Sequence, residues 1–207
     1  PKSFLPLDDV LKMDDISGEN GRFVRVITAA NGKKAFLRIY KDNHVYPYES
    51  QISTALKTLL QEAPMVGFVT GHKERSGMDM GEKGYGTFAS NKTFRYSLEN
   101  SGYGVREISL EHPVAEDINI IVLADMRSNF TEEEFRNFDA YLKRGGNLFI
   151  LGEPKRQQFM NPVIERLGLR FADGIIVSPS EVNLDDLVAA NIKEGAAKVS
   201  ENYIRYF

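Results

Sequence analysis

Apolar residues along the chain form short runs and helical stripes, which predict alternating strands and helices. The run at 118–124 is almost entirely apolar, which is typical of a parallel strand buried on both faces. A helix is predicted to begin after Thr131, because Glu134 three residues later completes a capping box and apolar residues follow at helical spacing. Gly145 supplies the helix exit, and a second apolar run begins at Leu148. We therefore predict a β-α-β unit over residues 117–154.

The pattern from residue 65 onward predicts further elements on both sides of this unit. Additional strands are predicted at 65–70, 105–110 and 174–177, and additional helices at 91–101, 161–167 and 184–192. Strands that alternate with helices in this way indicate an α/β fold with a mostly parallel sheet flanked by helices. Right-handed crossovers favour a flavodoxin-like or glutamine-amidotransferase-like strand order.

The first sixty residues have a different pattern. Two alternating segments at 23–28 and 35–40 flank Asn31-Gly32, a strong hairpin signal because both turn positions are expected to have positive φ. Residues 48–62 then predict an amphipathic helix that ends before Pro64. We interpret residues 1–62 as a β-hairpin and helix extension, and residues 63–207 as the α/β domain.

Composition excludes several classes of protein. The formal net charge is −3, so no basic face is expected for a nucleic-acid partner. The chain has no cysteine, which excludes disulfides, thiolate nucleophiles and cysteine-based zinc sites. Apolar runs are too short to span a bilayer. We interpret the chain as a fragment, and expect any targeting or membrane segment to lie outside it.

Polar side chains follow the predicted strands where ligands of open α/β sheets bind, at the carboxyl ends of the strands. His72, Glu74 and Arg75 follow the first strand, Asp125 follows the third and Glu153 follows the fourth. These residue types allow acid-base chemistry or metal binding. Charged side chains at strand ends also occur simply because they meet water or pair with one another, without binding a ligand. This interpretation remains open beside the first.

No complete catalytic set accompanies these residues. The sequence contains no G-x-S-x-G nucleophile elbow, and Ser76 close to His72 in a loop does not make a triad. Residues 84–89 fit a loose G-x-G-x-x-A nucleotide pattern but do not follow their strand directly, so we attribute the match to chance. The long loop at 71–90 is expected to be functional or mobile. We predict no catalytic residue, no cofactor and no metal.

Several motifs in order along the chain resemble those of a known family. Residues 65–75 read as a strand followed by G-H-K-E-R, residues 117–125 as a D-x-x-I-I-V-L-A-D strand, and residues 130–154 as a capped helix with R-G-G-N-L and G-E-P. Together with residues 160–168, this series resembles the auxiliary domains of gliding-motility-type ABC transporters. Lys73 stands where those domains usually have glycine, which predicts that no tight anion-holding turn forms there.

The resemblance implies an extracytoplasmic module on the periplasmic side of the inner membrane, tethered there by segments outside this chain. Its implied partners are permease or ATPase subunits, or other envelope proteins, and it implies no catalytic residues. Two alternatives remain. One is a small-molecule or glycan binding module that uses the crevice at the strand ends. The other is a metal-assisted hydrolase with His72, Asp125 and Glu153 as ligands.

Overall fold

The computed structural model describes residues 6–179, except 20, 23, 41–43 and 45, together with residue 184. Packing divides the chain into two units, Pro1–Arg170 and Phe171–Phe207. In the second unit, the described residues 174–177 form no strand, so that prediction is wrong. The predicted helix at 184–192 lies outside the described residues apart from Leu184. The predicted boundary between residues 62 and 63 stays a prediction.

The N-terminal segment contains a short helix, α1 (Leu7–Met13), a 3-10 turn (Ser17–Glu19) and the predicted hairpin. Strands β1 (Val24–Thr28) and β2 (Lys34–Arg38) pair antiparallel. Their turn differs from the expectation. Positive φ was expected at both Asn31 and Gly32, but only Gly32 has it. Gly32 N–H donates to Ala29 O, and Ala29 N–H donates to Lys33 O, the bonds of a type I turn followed by a left-handed glycine.

Helix α2 (Glu49–Leu60) follows the hairpin, as predicted. Ala55 and Leu59 are buried and pack with Ala35 of β2. Ile52 and Leu56 of the predicted stripe are exposed, because the two-stranded hairpin covers only one narrow face of the helix.

The described residues of the α/β part form a four-stranded parallel sheet in the order β4-β3-β5-β6. The strands are β3 (Met65–Val69), β4 (Gly104–Ile108), β5 (Ile118–Ala124) and β6 (Asn147–Leu151). Counted within this sheet the order is 2-1-3-4, which is the flavodoxin-like order. The predicted fold class is therefore confirmed, including the parallel pairing of residues 118–124 with the strand that begins at Asn147.

Helix α4 (Glu132–Lys143) crosses from β5 to β6 with the predicted capping box. Phe138 and Tyr141 are fully buried. The Tyr141 hydroxyl lies between the Asn119 and Asn147 carbonyl oxygens, at 3.1 and 2.8 Å, and so bridges the starts of both strands. This buried contact fixes the helix against the amino edge of the sheet.

One helix prediction within the described residues is wrong. Residues 91–101 form turns and a 3-10 segment (Glu99–Ser101) instead of an α-helix. The cause is local competition, since the Asn91 side chain accepts the Thr93 N–H and the Asn100 amide bonds the Phe94 carbonyl oxygen. The preceding loop contributes only one helical turn, α3 (Gly86–Ala89).

The helix that follows β6 begins earlier than predicted. Helix α5 (Gln157–Ile164) contains Pro162 in its interior, and the 3-10 segment Glu165–Leu167 follows. A proline removes one backbone hydrogen bond from a helix. Burial of Met160, Val163 and Ile164 offsets this loss, so the helix continues through the proline instead of starting at it.

Candidate functional site

The loops after β3, β5 and β6 meet at the carboxyl edge of the sheet, where the five predicted site residues lie. Backbone hydrogen bonds join the loops directly. Arg75 N–H donates to Ala124 O, Arg127 N–H donates to His72 O and Asp125 N–H donates to Leu151 O, each at 2.9 Å. The edge is therefore one connected surface, and its side chains fall into two groups.

Unusual backbone conformations concentrate at this edge. In the described part of the chain, three non-glycine residues have positive φ: Lys73 (57°), Asp125 (54°) and Lys155 (66°). Lys73 adopts the left-handed conformation that glycine would take, so lysine does not prevent this backbone geometry. The His72 N–H donates to Glu74 Oε2 of the same loop at 2.6 Å, and the expectation that no anion-holding turn forms here stays a prediction. Non-glycine residues in this conformation are strained, and such strain is common at functional sites.

The first group consists of His72, Glu74 and Glu134, and we call it the histidine–carboxylate group. The imidazole is buried, with Nδ1 3.4 Å from Glu74 Oε1 and Nε2 3.3 Å from Glu134 Oε2. The Phe130 ring packs edge-on against it, with centroids 5.0 Å apart. Glu134 Oε2 also accepts the Thr131 N–H and hydroxyl. The capping box of α4 is thus tied through His72 to the turn after β3.

Burial raises the pKa of the Glu74 carboxyl above its ordinary value of 4.5, and the His72 N–H bond and the imidazole charge partly oppose this rise. The Glu74 side chain is only 1% exposed. Desolvation disfavours the charged form of a carboxyl group. The Glu74 carboxyl therefore keeps its proton more readily than the carboxyl of an exposed glutamate does.

The second group is the arginine–aspartate cluster, which consists of Asp125, Arg75, Arg127, Arg156 and Glu153. The Asp125 side chain is almost fully buried, and three guanidinium groups approach it. Arg127 Nη2 lies 3.3 Å from Oδ2, Arg75 Nε lies 3.8 Å from Oδ2 and Arg156 Nε lies 3.6 Å from Oδ1. Arg75 also forms an ion pair with Glu153. One buried carboxylate is therefore shared by three cations.

Several buried polar atoms of the arginine–aspartate cluster form no hydrogen bond. Within the described structure, Asp125 Oδ1 and the Nε atoms of Arg75, Arg127 and Arg156 are buried without a hydrogen-bond partner. A buried polar atom without a partner costs on the order of 1–3 kcal/mol. Opposite charges attract one another in the cluster, but not every polar atom in it forms a hydrogen bond.

Sequence reasoning placed five residues at this edge, and the structure divides them between the two groups. It missed three others: Glu134, Arg127 and Arg156. The signal for the arginines is their spacing, since Arg127 follows Asp125 by two residues and Arg156 follows Glu153 by three. Glu134 was assigned as a helix cap, and nothing in the sequence indicates that its carboxylate also reaches His72.

The residues that carry chemistry in hydrolases are not assembled here. The Ser76 hydroxyl donates to Glu107 and accepts the Met78 N–H, so it does not face His72. No group of three or more His, Asp or Glu side chains positioned for a metal ion occurs among the described residues. The two carboxylates next to His72 face different ring nitrogens, so one ion could not contact all three side chains.

The glycines at 84–89 have a packing role. A Cβ at Gly84 would lie 2.0 Å from the Asp79 carbonyl oxygen, and a Cβ at Gly86 would lie 2.5 Å from it. Gly86 N–H donates to this same oxygen. Glycine is needed because two backbone segments of the loop touch, which accounts for the chance match to a nucleotide motif.

A separate cavity of about 170 Å³ lies between β2, α2 and residues 99–102. Tyr40, Gln51 and Glu99 contribute polar groups to its wall. Burial raises the pKa of both Tyr40 and Glu99. This cavity contains none of the five predicted site residues.

Comparison with known proteins identifies the family. Residues 63–190 match the family described as an ABC-type uncharacterized transport system, which confirms the predicted relationship to ABC transporter auxiliary domains. No curated protein and no solved structure matches the chain. Within the described residues, no helix combines the length and the apolar character needed to cross a bilayer. Because the match covers more than half of the 207 residues, the chain belongs to this family of ABC-type transport-system proteins.

Proposed function

We propose that the chain is a non-enzymatic domain held outside the cytoplasm beside an ABC transporter, as in gliding-motility-type systems. Its role is to contact a permease subunit, another envelope protein or the transported cargo. Membership in a transport-system family supports the transporter association. Within the described structure, the charged side chains of the carboxyl edge pair with one another and His72 faces two carboxyl groups instead of a nucleophile, which supports a binding role over a catalytic one.

The observation that carries this proposal is the apolar surface of residues 76–98. Met78, Met80, Phe88 and Tyr96 expose between 40 and 64% of their surface. The Phe94 and Tyr96 rings pack against each other with centroids 5.8 Å apart. Exposed methionine and aromatic side chains grouped in one segment are typical of protein interaction sites. We call this segment the contact loop.

The contact loop is held in place by its own backbone. Tyr85 N–H donates to Ser76 O, Leu98 N–H donates to Phe88 O, and the Ser90 hydroxyl donates to Gly77 O. A surface ordered before binding loses less conformational entropy in a complex. A preformed loop therefore suits recognition of a defined partner.

Retention of partners from membrane extracts of the source cells tests the proposal. The tagged chain is expected to retain one or more envelope proteins, and Met80→Glu with Tyr96→Glu is expected to abolish retention because a charge enters an apolar contact. Leu60→Glu is the matched control, because Leu60 is 81% exposed on α2, outside the contact loop. Equal retention by both variants would exclude this surface.

The non-enzymatic part of the proposal has its own test. Purified chain is expected to turn over no ester, amide or phosphate substrate. Turnover that disappears in a folded His72→Gln variant would contradict it.

A further inference from the structure

We propose that the arginine–aspartate cluster binds a phosphate group, either as the free ion or as part of a phosphorylated sugar. This proposal does not depend on the role of the contact loop or on the transport function. It rests on the position of the cluster, on its charge and on the partial exposure of its arginine side chains.

The cluster lies at the topological switch point of the sheet. From β3 the chain moves to β4 on one side, and from β5 it moves to β6 on the other. Loops that leave adjacent strands in opposite directions leave a crevice between them, where open α/β sheets bind ligands. Arg75 follows β3 and Arg127 follows β5, so both arginines lie on the loops that flank this switch point. Arg156 follows the next strand, β6.

The balance of charge favours an anion. Three guanidinium groups face two carboxylates, those of Asp125 and Glu153. Helix α5 begins at Gln157, directly after its N-cap residue Arg156, whose side chain makes no capping bond. The positive end of its dipole adds to the excess of positive charge.

The geometry of the arginines indicates that they are held for a ligand beyond Asp125. One arginine in a bidentate pair would satisfy a buried carboxylate. Here three arginines approach at 3.3–3.8 Å, and only Arg127 makes a hydrogen bond to Asp125. Asp125 therefore holds the guanidinium groups together against their mutual repulsion. Their side chains remain 21–36% exposed, so part of each side chain reaches solvent.

Phosphate is the ligand class that fits this arrangement. Its tetrahedral oxygens accept parallel bonds from several planar guanidinium forks, which is why arginine clusters recognise phosphate groups. The three positive-φ residues fix the same loops, so the site is formed before a ligand binds.

Isothermal titration of the full chain at low salt tests this proposal, with inorganic phosphate and a hexose 6-phosphate as probes and chloride at matched ionic strength as the baseline. Both probes are expected to bind and to raise the melting temperature. Tighter binding of the hexose phosphate would identify a phosphorylated sugar as the ligand, and equal binding would identify the phosphate group alone.

Substitutions of the cluster arginines test whether phosphate binds at the cluster. Arg127→Gln and Arg156→Gln are expected to weaken binding by about tenfold or more, because each removes a charged hydrogen-bond donor. Arg127→Lys keeps the charge and loses the planar fork, and serves as a second variant if glutamine unfolds the chain. Arg166→Gln is the control, since Arg166 forms an exposed pair with Asp139. Absence of binding by the parent chain, or equal binding by all variants, would overturn the proposal.

Discussion

Asp125 is the residue on which the carboxyl edge of the sheet depends. Replacing it with asparagine removes the charge and keeps the left-handed backbone accessible. Three arginines then share only the Glu153 carboxylate, so we expect Asp125→Asn to lower the free energy of unfolding by about 3 kcal/mol. Urea denaturation measures this change.

The control for this substitution is Asp139→Asn, which breaks the exposed pair with Arg166. Exposed ion pairs contribute less than about 1 kcal/mol. Equal losses in both variants would show that the buried cluster does not stabilise the fold.

Glu74 links stability to pH. Its pKa is raised in the folded chain, chiefly by burial, so the folded state keeps a proton that the unfolded state has released. Its contribution to stability is complete below the ordinary pKa of 4.5 and is lost as the pH rises through the folded pKa. Glutamine imitates the protonated form, so Glu74→Gln is expected to gain stability relative to the parent across this window. Denaturant titrations at several pH values test this, and a difference independent of pH would contradict it.

At the scale of elements, α4 depends on its cap. Thr131→Ala removes the oxygen that accepts the Glu134 N–H, so a loss of about 1 kcal/mol is expected in thermal or urea unfolding. Thr131→Ser retains the oxygen and should lose much less. Because Glu134 also contacts His72, losing the cap should loosen the turn after β3, which amide hydrogen exchange at His72 and Glu74 would detect.

Elements with strong local signals were predictable from the sequence. The apolar run of β5 and the capping box of α4 act within a few residues, so they are visible without the fold. The helix expected at 91–101 failed because Asn91 and Asn100 bond the backbone in ways that hydrophobic periodicity does not record. Pro162 was taken as a helix start, whereas burial of the residues around it decides its place inside α5.

The candidate site was predictable in position but not in its contacts. A fold rule places the residues after parallel strands at one edge, and this located His72, Arg75 and Asp125. The direction of each side chain depends on packing across the sheet. For that reason the contact from Glu134 to His72, and the approach of Arg156 to Asp125, required coordinates.

At the scale of the whole molecule, the N-terminal extension packs against the α/β part through Arg95. The Arg95 guanidinium lies over the rings of Tyr40 and Tyr48, 4.6 and 4.5 Å from their centroids. It also donates a hydrogen bond to Gln51 Oε1. A fragment of residues 63–207 would leave this cation without these contacts. We expect that fragment to be less stable than the full chain in thermal melting. Equal stability would support the predicted boundary as one between independent domains.

The bond between Ser76 and Tyr85 has a consequence for how relatives of this protein can diverge. It closes residues 77–84 into a short excursion whose two ends stay adjacent. The entropy cost of closing such an excursion changes slowly with its length. A replacement of another length that keeps the bonds from Gly86 N–H to the Asp79 carbonyl oxygen and from the Ser90 hydroxyl to the Gly77 carbonyl oxygen is therefore expected to retarget recognition while the scaffold stays the same.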